Sequence, residues 1–297
     1  MNNSKPYLHE FKAMASMCQV LIAACSHEEA MAAAKRAEEE VRRIEQKYSR
    51  YRSDSVLSQI NSKAGREAVF CDAETCDLLD KAELLYRHSD GLFDITSGVL
   101  RKAWHFDAPA LPDSALLNEL LARVGWRKVE RDTDTVFLRE AGMEIDFGGF
   151  GKEYATDRAA QILQAHGIRH AYVNLGGDLR IVGPKPDGEP WAIGIRHPRR
   201  DDKPIATIPV THGALATSGD YERYFELDGQ RYCHILNPKT GYPVRHWQSI
   251  SVLATDTLSA GSLSTIAMLM EERALPFLRD SRLSFLAVDQ HGECFYD

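Results

Sequence analysis

Apolar side chains recur every third or fourth position through Met31, Ala34, Ala37, Val41, Ile44 and Tyr48. That period predicts an amphipathic α-helix over about 28–48. Ser26-x-x-Glu29 just before it is a capping box. A second helical stripe, Leu78, Leu79, Ala82, Leu85 and Tyr86, predicts a helix over 74–88. Pro112-Asp113 opens a short third helix that stops near Gly125. Residues 126–146 read as short strands with Asp-rich turns. Gly151 to His166 reads as a helix closed by Gly167. The second half alternates at period two instead, with strands predicted at Gln19–Ala24, Ala171–Leu175, Trp191–Arg196, Ala206–Val210, Tyr221–Leu227, Tyr232–Leu236 and Ile250–Ala254, the first of these lying near the N-terminus. Asp228-Gly229 is a hairpin signal. A helix over 257–270 and a strand at Leu283–Val288 follow. Helices and strands mix without regular βαβ alternation, and there is no repeat or linker. The expected fold is therefore α+β, a single domain spanning 1–297.

The 297 residues carry a net charge of -7, which gives no general pull toward nucleic acid. The run Arg196–His197–Pro198–Arg199–Arg200 reads as a solvated loop. Six cysteines without a CxxC pair read as reduced thiols, not as a disulfide framework or a zinc ribbon. Ile22-Ala23-Ala24-Cys25 is similar to a lipoprotein cleavage box. The residues before it include Glu10 and Pro6, a poor leader, and the apolar run falls short of the ~20 residues of a membrane span. A buried strand is the better reading. A cytoplasmic protein with no stable membrane insertion is expected.

Four polar, glycine-rich segments stand at element ends, where sites are usually built. Gly91-Leu92-Phe93-Asp94 is followed by Trp104, and Asp94 reads equally well as a turn cap or a site residue. Glu144 to Tyr154 (EIDFGGFGKEY) takes a strand ending at Asp146 into a helix beginning near Gly151. Such a turn offers backbone N–H groups and a helix N-terminus to a phosphate or diphosphate, with Lys152 adding charge. The segment is neither GxGxxG nor a Walker A sequence. Asn174-Leu175-Gly176-Gly177-Asp178 permits close backbone approach. Thr217-Ser218-Gly219-Asp220-Tyr221 is followed by His234 to Gly241 (HILNPKTG), which places His234 inside an apolar strand just before a turn.

In this order the segments resemble the ApbE family of FAD:protein FMN transferases, together with Ser53-Asp54-Ser55 and Asn61. The resemblance runs from about Met14 to the last strand. It implies a single-domain α+β fold that takes FAD as substrate, uses Mg²⁺, and joins FMN through its phosphate to a Thr or Ser hydroxyl of an acceptor protein with release of AMP. Met14, Tyr51, Leu92, Phe93, Asp94, Asp146, Lys152, His234 and Ile235 are then the expected FAD contacts, with His234 the expected base. Met14-Ala15-Ser16 replaces the family's Met-Gly-Thr. The expected metal positions are the Gly149 carbonyl, Gly261, Ser264 and Thr265.

One departure stands out. The family's Ala-Asp-Ala-x-x-Thr reads here as Ala260-Gly261-Ser262-Leu263-Ser264-Thr265, so that glycine occupies the carboxylate position. Mg²⁺ favours one or two carboxylates. Weaker metal binding is expected, as is tighter binding in Gly261→Asp, with Ser262, Ser264 or Asp256 as substitutes. The alternatives to an active transferase are an FAD-binding carrier or sensor without transfer activity, and an FAD pyrophosphatase that uses water as acceptor.

Overall fold

The computed structural model describes residues 6–23, 25–200 and 202–297. Strands β1 (Tyr7–Ala13) and β2 (Ser16–Ile22) form a hairpin. Its two-residue turn places Met14 and Ala15 at positive φ. Ala24, the predicted end of the second strand, lies outside the described residues. Helix α1 (His27–Tyr48) begins at the capping box, with both reciprocal bonds formed. Its buried face is Ala30, Ala33, Ala34, Ala37, Val41, Ile44 and Tyr48. Met31 is exposed rather than part of that stripe, because the face turns on Ala30 and Ala33.

Helix α2 (Val56–Ser62), strand β3 (Val69–Phe70) and helix α3 (Ala73–His88) follow. A 3₁₀ turn at Ile95–Lys102 leads to α4 (Ser114–Leu121), which ends short of Gly125. Strands β4 (Val129–Arg131) and β5 (Thr135–Leu138) join β3 in a small sheet. No strand runs to Asp146. That stretch is extended but bonds to scattered partners: the Asn61 side chain both donates to and accepts from the Ile145 backbone, and the Asp146 amide donates to Ile95.

Helix α5 (Gly151–Ala165) precedes β6 (Ala171–Leu175), β7 (Asp178–Ile181) and the hairpin β8 (Trp191–Arg196) with β9 (Pro204–Val210). Next come β10 (Gly213–Gly219), β11 (Tyr224–Leu227), β12 (Gln230–Cys233) and β13 (Trp247–Ala254). The predicted strands at 221 and 232 are shifted. Asp228 and Gly229 both take positive φ, and this two-residue turn fixes the register from Tyr224 opposite Cys233. Helices α6 (Thr257–Met270) and α7 (Ala274–Ser281) and strands β14 (Phe285–Asp289) and β15 (Cys294–Tyr296) complete the chain.

The central sheet has eight strands in the order β1-β2-β6-β7-β10-β13-β14-β15, every pair antiparallel. Helices α1, α5 and α6 pack in a row against it. Alanines on the buried faces of α1 and α5 bring those helices close. Buried apolar surface drives this layering, at about 25 cal/mol per Å². The β8–β9 hairpin packs against the sheet through Trp191 and Val210, which share a cluster with Leu179 and Ile181. Helix α6 is buried almost all round, so it is the central element of the second half. The fold is α+β, as expected. Cys18, Cys71, Cys76, Cys233 and Cys294 are free thiols.

Candidate functional site

Two hairpin turns and one helix start converge. At Leu175–Asp178 the β6–β7 turn puts Gly176 and Gly177 at positive φ, with the Gly177 amide donating to Asn174. A Cβ on Gly176 would stand 2.7 Å from the Ser16 Cβ in the β1–β2 turn and 3.6 Å from the Lys152 Nζ. Only glycine lets these three segments close. Lys152, on the first turn of α5, pairs with the buried Asp178 at 2.7 Å. Burial opposes the lysine's charge, but the Asp178 and Glu153 carboxylates outweigh it and raise its pKa. Phe150, at the N-cap of α5, carries no side-chain cap.

A chain of side chains crosses the mouth. Arg50 forms an ion pair with Asp146, stacks over the Tyr51 ring at 4.9 Å and donates to its hydroxyl at 2.9 Å. Tyr51 is 72% exposed, so its ring is available to a ligand. Partial burial opposes its ionisation, yet hydrogen bonds from Arg50 and Arg223 hold its pKa below the usual value. Asp146 also accepts from the Gly148 amide, which sets the glycine turn.

His234 is not inside a strand. It follows β12 by one residue, and its amide donates to the Arg223 carbonyl at 3.0 Å. The hairpin beneath it stacks Phe225 and Tyr232 on Trp104. The Trp104 indole donates to Gly241 at 2.8 Å, fixing the loop that leaves Ile235. The ring reaches solvent but protein crowds it on most sides. Burial, followed by the Arg223, Lys152 and Arg50 cations, lowers its pKa to about 4, against a weaker opposing hydrogen bond that the ring donates to the Arg223 backbone. The imidazole is therefore neutral at physiological pH.

Leu92 and Ile235 share one apolar cluster, and the Phe93 ring stands 3.0 Å from the Cβ position of Gly149. Asp94 is occupied otherwise. Its Oδ1 accepts from the Thr96 amide and hydroxyl and its Oδ2 from the Trp126 amide, so it holds the Leu92–Phe93 turn. Met14 is anchored by its amide to Glu45 at 2.6 Å. On α6, Ser264 and Thr265 lie 2.8 and 2.9 Å from the Ser218 hydroxyl, and Ser264 also donates to the Gly261 carbonyl. Asp256 caps α6 and bonds to Ser259 and Thr255, which removes it as a substitute ligand. Arg199 is not simply solvated but clamps Asp220 at 2.6 and 2.7 Å.

The sequence alone assigns no role to Arg50, Arg223, Glu153, Asp178 or Ser218, although the last three lie within the segments it singles out. Glu153 alone left a signal, as a carboxylate on the buried face of α5 with Thr156 and Ala160. Burial and the neighbouring Asp178 raise its pKa above the ordinary glutamate value.

The ApbE family model matches residues 14–287. The chain belongs to the ApbE family. It is 32% identical over 272 residues to a FAD:protein FMN transferase of Klebsiella pneumoniae, covering 90% of this chain and 83% of that one. It is 34% identical to the FAD:protein FMN transferase of Treponema pallidum, covering 77% and 69%. The crystal structure of an ApbE protein of Thermotoga maritima superposes with a TM-score of 0.91 at 34% identity, covering 99% of this chain and 97% of that one. The flavin transferase ApbE of Vibrio cholerae gives a TM-score of 0.87 at 25% identity, with 99% and 97% covered. Among the described residues no helix of this ApbE chain is long and apolar enough to cross a membrane.

Proposed function

We propose that this chain transfers FMN from FAD to a Thr or Ser hydroxyl of an acceptor protein and releases AMP. The carrying observation is the convergence of the Gly176–Gly177 turn, Ser16 and Lys152 at the uncapped start of α5, with the Arg50, Lys152 and Arg223 cations holding the His234 imidazole neutral. An anionic diphosphate is attracted to such a cationic ring, and a neutral imidazole within it accepts a proton. In the reaction the acceptor oxygen bonds to the phosphorus of the FMN half, the bond to the AMP oxygen breaks, and His234 takes the hydroxyl proton.

Lys152 and the α5 N-terminus hold the diphosphate. Tyr51, Met14, Leu92, Phe93 and Ile235 frame the flavin side, and Asp146 orders the glycine turn. The hydroxyls of Ser264 and Thr265 and the Gly149 carbonyl are oxygen donors that suit a hard cation. Among the described residues no group of three or more His, Cys, Asp or Glu side chains could hold a metal, and Mg²⁺ fills the positions that protein oxygens leave with phosphate and water. Bound Mg²⁺ would supply charge neutralisation on the diphosphate.

The test is mass spectrometry of a candidate acceptor protein incubated with the chain, FAD and Mg²⁺. A mass gain of one FMN is expected, cut by about 10²–10⁴-fold in rate in His234→Ala, with FAD affinity retained. FMN and AMP appearing without a gain on the acceptor would mean that water is the acceptor. FAD bound with no AMP released would leave a carrier or sensor.

A further inference from the structure

Glu153 projects from the first turn of α5 toward α6. It is 7% exposed, and its Oε2 has no hydrogen-bond partner. Directly across lies Gly261. A Cβ added there would stand 2.5 Å from the Glu153 Cγ, 2.7 Å from its Oε1 and 2.9 Å from its Cδ. The Glu153 carboxylate thus fills the space that a side chain on Gly261 would occupy. An aspartate at 261 would set its own carboxylate carbon about 1.5 Å beyond that Cβ, one carbon–carbon bond. The two carboxylates are alternative occupants of one place, reached from opposite helices.

Resting on the flavin-transfer reading, we propose that Glu153 is the carboxylate ligand of the divalent cation, supplied from α5 in place of the side chain that Gly261 lacks. Packing alone does not account for the arrangement. A buried carboxyl oxygen without a partner is destabilising, and an apolar residue would fill the same gap without that cost. The α6 face opposite is oxygen-rich. Ser218, Ser264 and Thr265 form a hydroxyl cluster, and the Ser262 hydroxyl is likewise buried without a partner. One carboxylate with hydroxyl and carbonyl oxygens is a donor set for Mg²⁺, which fills its remaining positions with phosphate and water. Lys152 forms its ion pair with Asp178 and acts on Glu153 only through space, so the Glu153 Oε2 keeps its free acceptor site.

This revises the expectation for Gly261→Asp. Alone, that change drives a second carboxylate into the first and weakens both packing and metal binding. Combined with Glu153→Gly, it moves the carboxylate back to α6 and restores the site.

The experiment is calorimetry of Mg²⁺ titrated into the full chain with FAD present, with FAD binding measured separately without metal by flavin fluorescence. Glu153→Gln keeps the shape and removes the charge. It is expected to weaken Mg²⁺ by about tenfold or more, while metal-free FAD affinity stays within about twofold. Glu153→Gly/Gly261→Asp is expected to recover most of the lost affinity, and it decides the matter if Glu153→Gln folds poorly. Native-like Mg²⁺ binding in Glu153→Gln, or a double variant that folds yet binds no better than Glu153→Gln, would overturn the assignment. So would a native protein that binds FAD but no Mg²⁺, and in that case flavin binding still stands. A native protein that binds no FAD would overturn the flavin-transfer reading itself.

Discussion

Two helix starts lie side by side in this molecule and are finished in opposite ways. At α6 the amides are doubly served: Asp256 caps Ser259, while Asp157, reaching over from α5, accepts from Thr257 at 2.8 Å and Leu258 at 2.9 Å. At α5 no side chain caps Phe150; the first turn carries the half-buried cation Lys152 and the acid Glu153, which is buried against α6. Acid at a helix N-terminus satisfies donors and complements the dipole. The start of α6 is therefore closed and structural, whereas that of α5 keeps its positive end open to an anion. A glycine-rich approach accompanies the open one, because backbone must come close to whatever binds there.

The comparison breaks most visibly at Lys152. Lys152→Met leaves Asp178, only 4% exposed along its side chain, without its partner. The pair is about one-third exposed on the lysine side, so the loss of stability is expected to be about 2 kcal/mol, below that of a fully buried pair. FAD affinity should fall by about tenfold or more, because one charge on the diphosphate is lost. Thermal melts with and without FAD measure both. A melt lowered equally in the two conditions, with FAD affinity intact, would make Lys152 purely structural.

Asp157→Ala tests the closed helix start. Two buried amides lose their acceptor, which should cost about 1–2 kcal/mol of stability by denaturant titration. FAD affinity should remain within about twofold, since Asp157 faces the α6 terminus and not the cleft. Equal damage to FAD binding would mean that the two helix starts act as one unit and that the contrast between them is false.

Much of this contrast was legible along the chain. The capping box at Ser26, the helix from Gly151 and the helix over 257–270 follow from local spacing, and the structure forms them there. The β10 strand was not read, because its GALATSG sequence lacks the alternation that a half-buried strand shows. The extended stretch to Asp146 matches a strand in its apolar pattern but is not one. Its bonds go to Asn61 and Ile95, and long-range pairing of that kind leaves no local trace. Candidate site residues carried by motifs, such as Lys152 and His234, were visible as expectations. Arg50 and Arg223 were not, since each acts through partners distant in sequence. Glu153 and Gly261 were both in view singly, but their exchange of place appears only once α5 and α6 are packed together.

The smallest expected effect is on the titration of His234, and it sharpens the picture of an open, cationic start at α5. Burial and then the Arg223, Lys152 and Arg50 cations favour the neutral ring, so in the free protein its NMR titration should fall near pH 4 rather than at the ordinary 6.5. The unfolded chain binds the proton more readily between those two values. Stability from this group is thus complete above pH 6.5 and is lost as pH falls toward 4. Lys152→Met removes one of these three cations and should move the titration upward. Bound FAD should move it upward as well, because the diphosphate brings negative charge to the same ring. If His234 is the base, the acid limb of kcat/KM follows the free protein and lies at lower pH than the acid limb of kcat, which follows the complex. Limbs that coincide, or a ring that titrates at 6.5 in the free protein, would separate His234 from the cationic site.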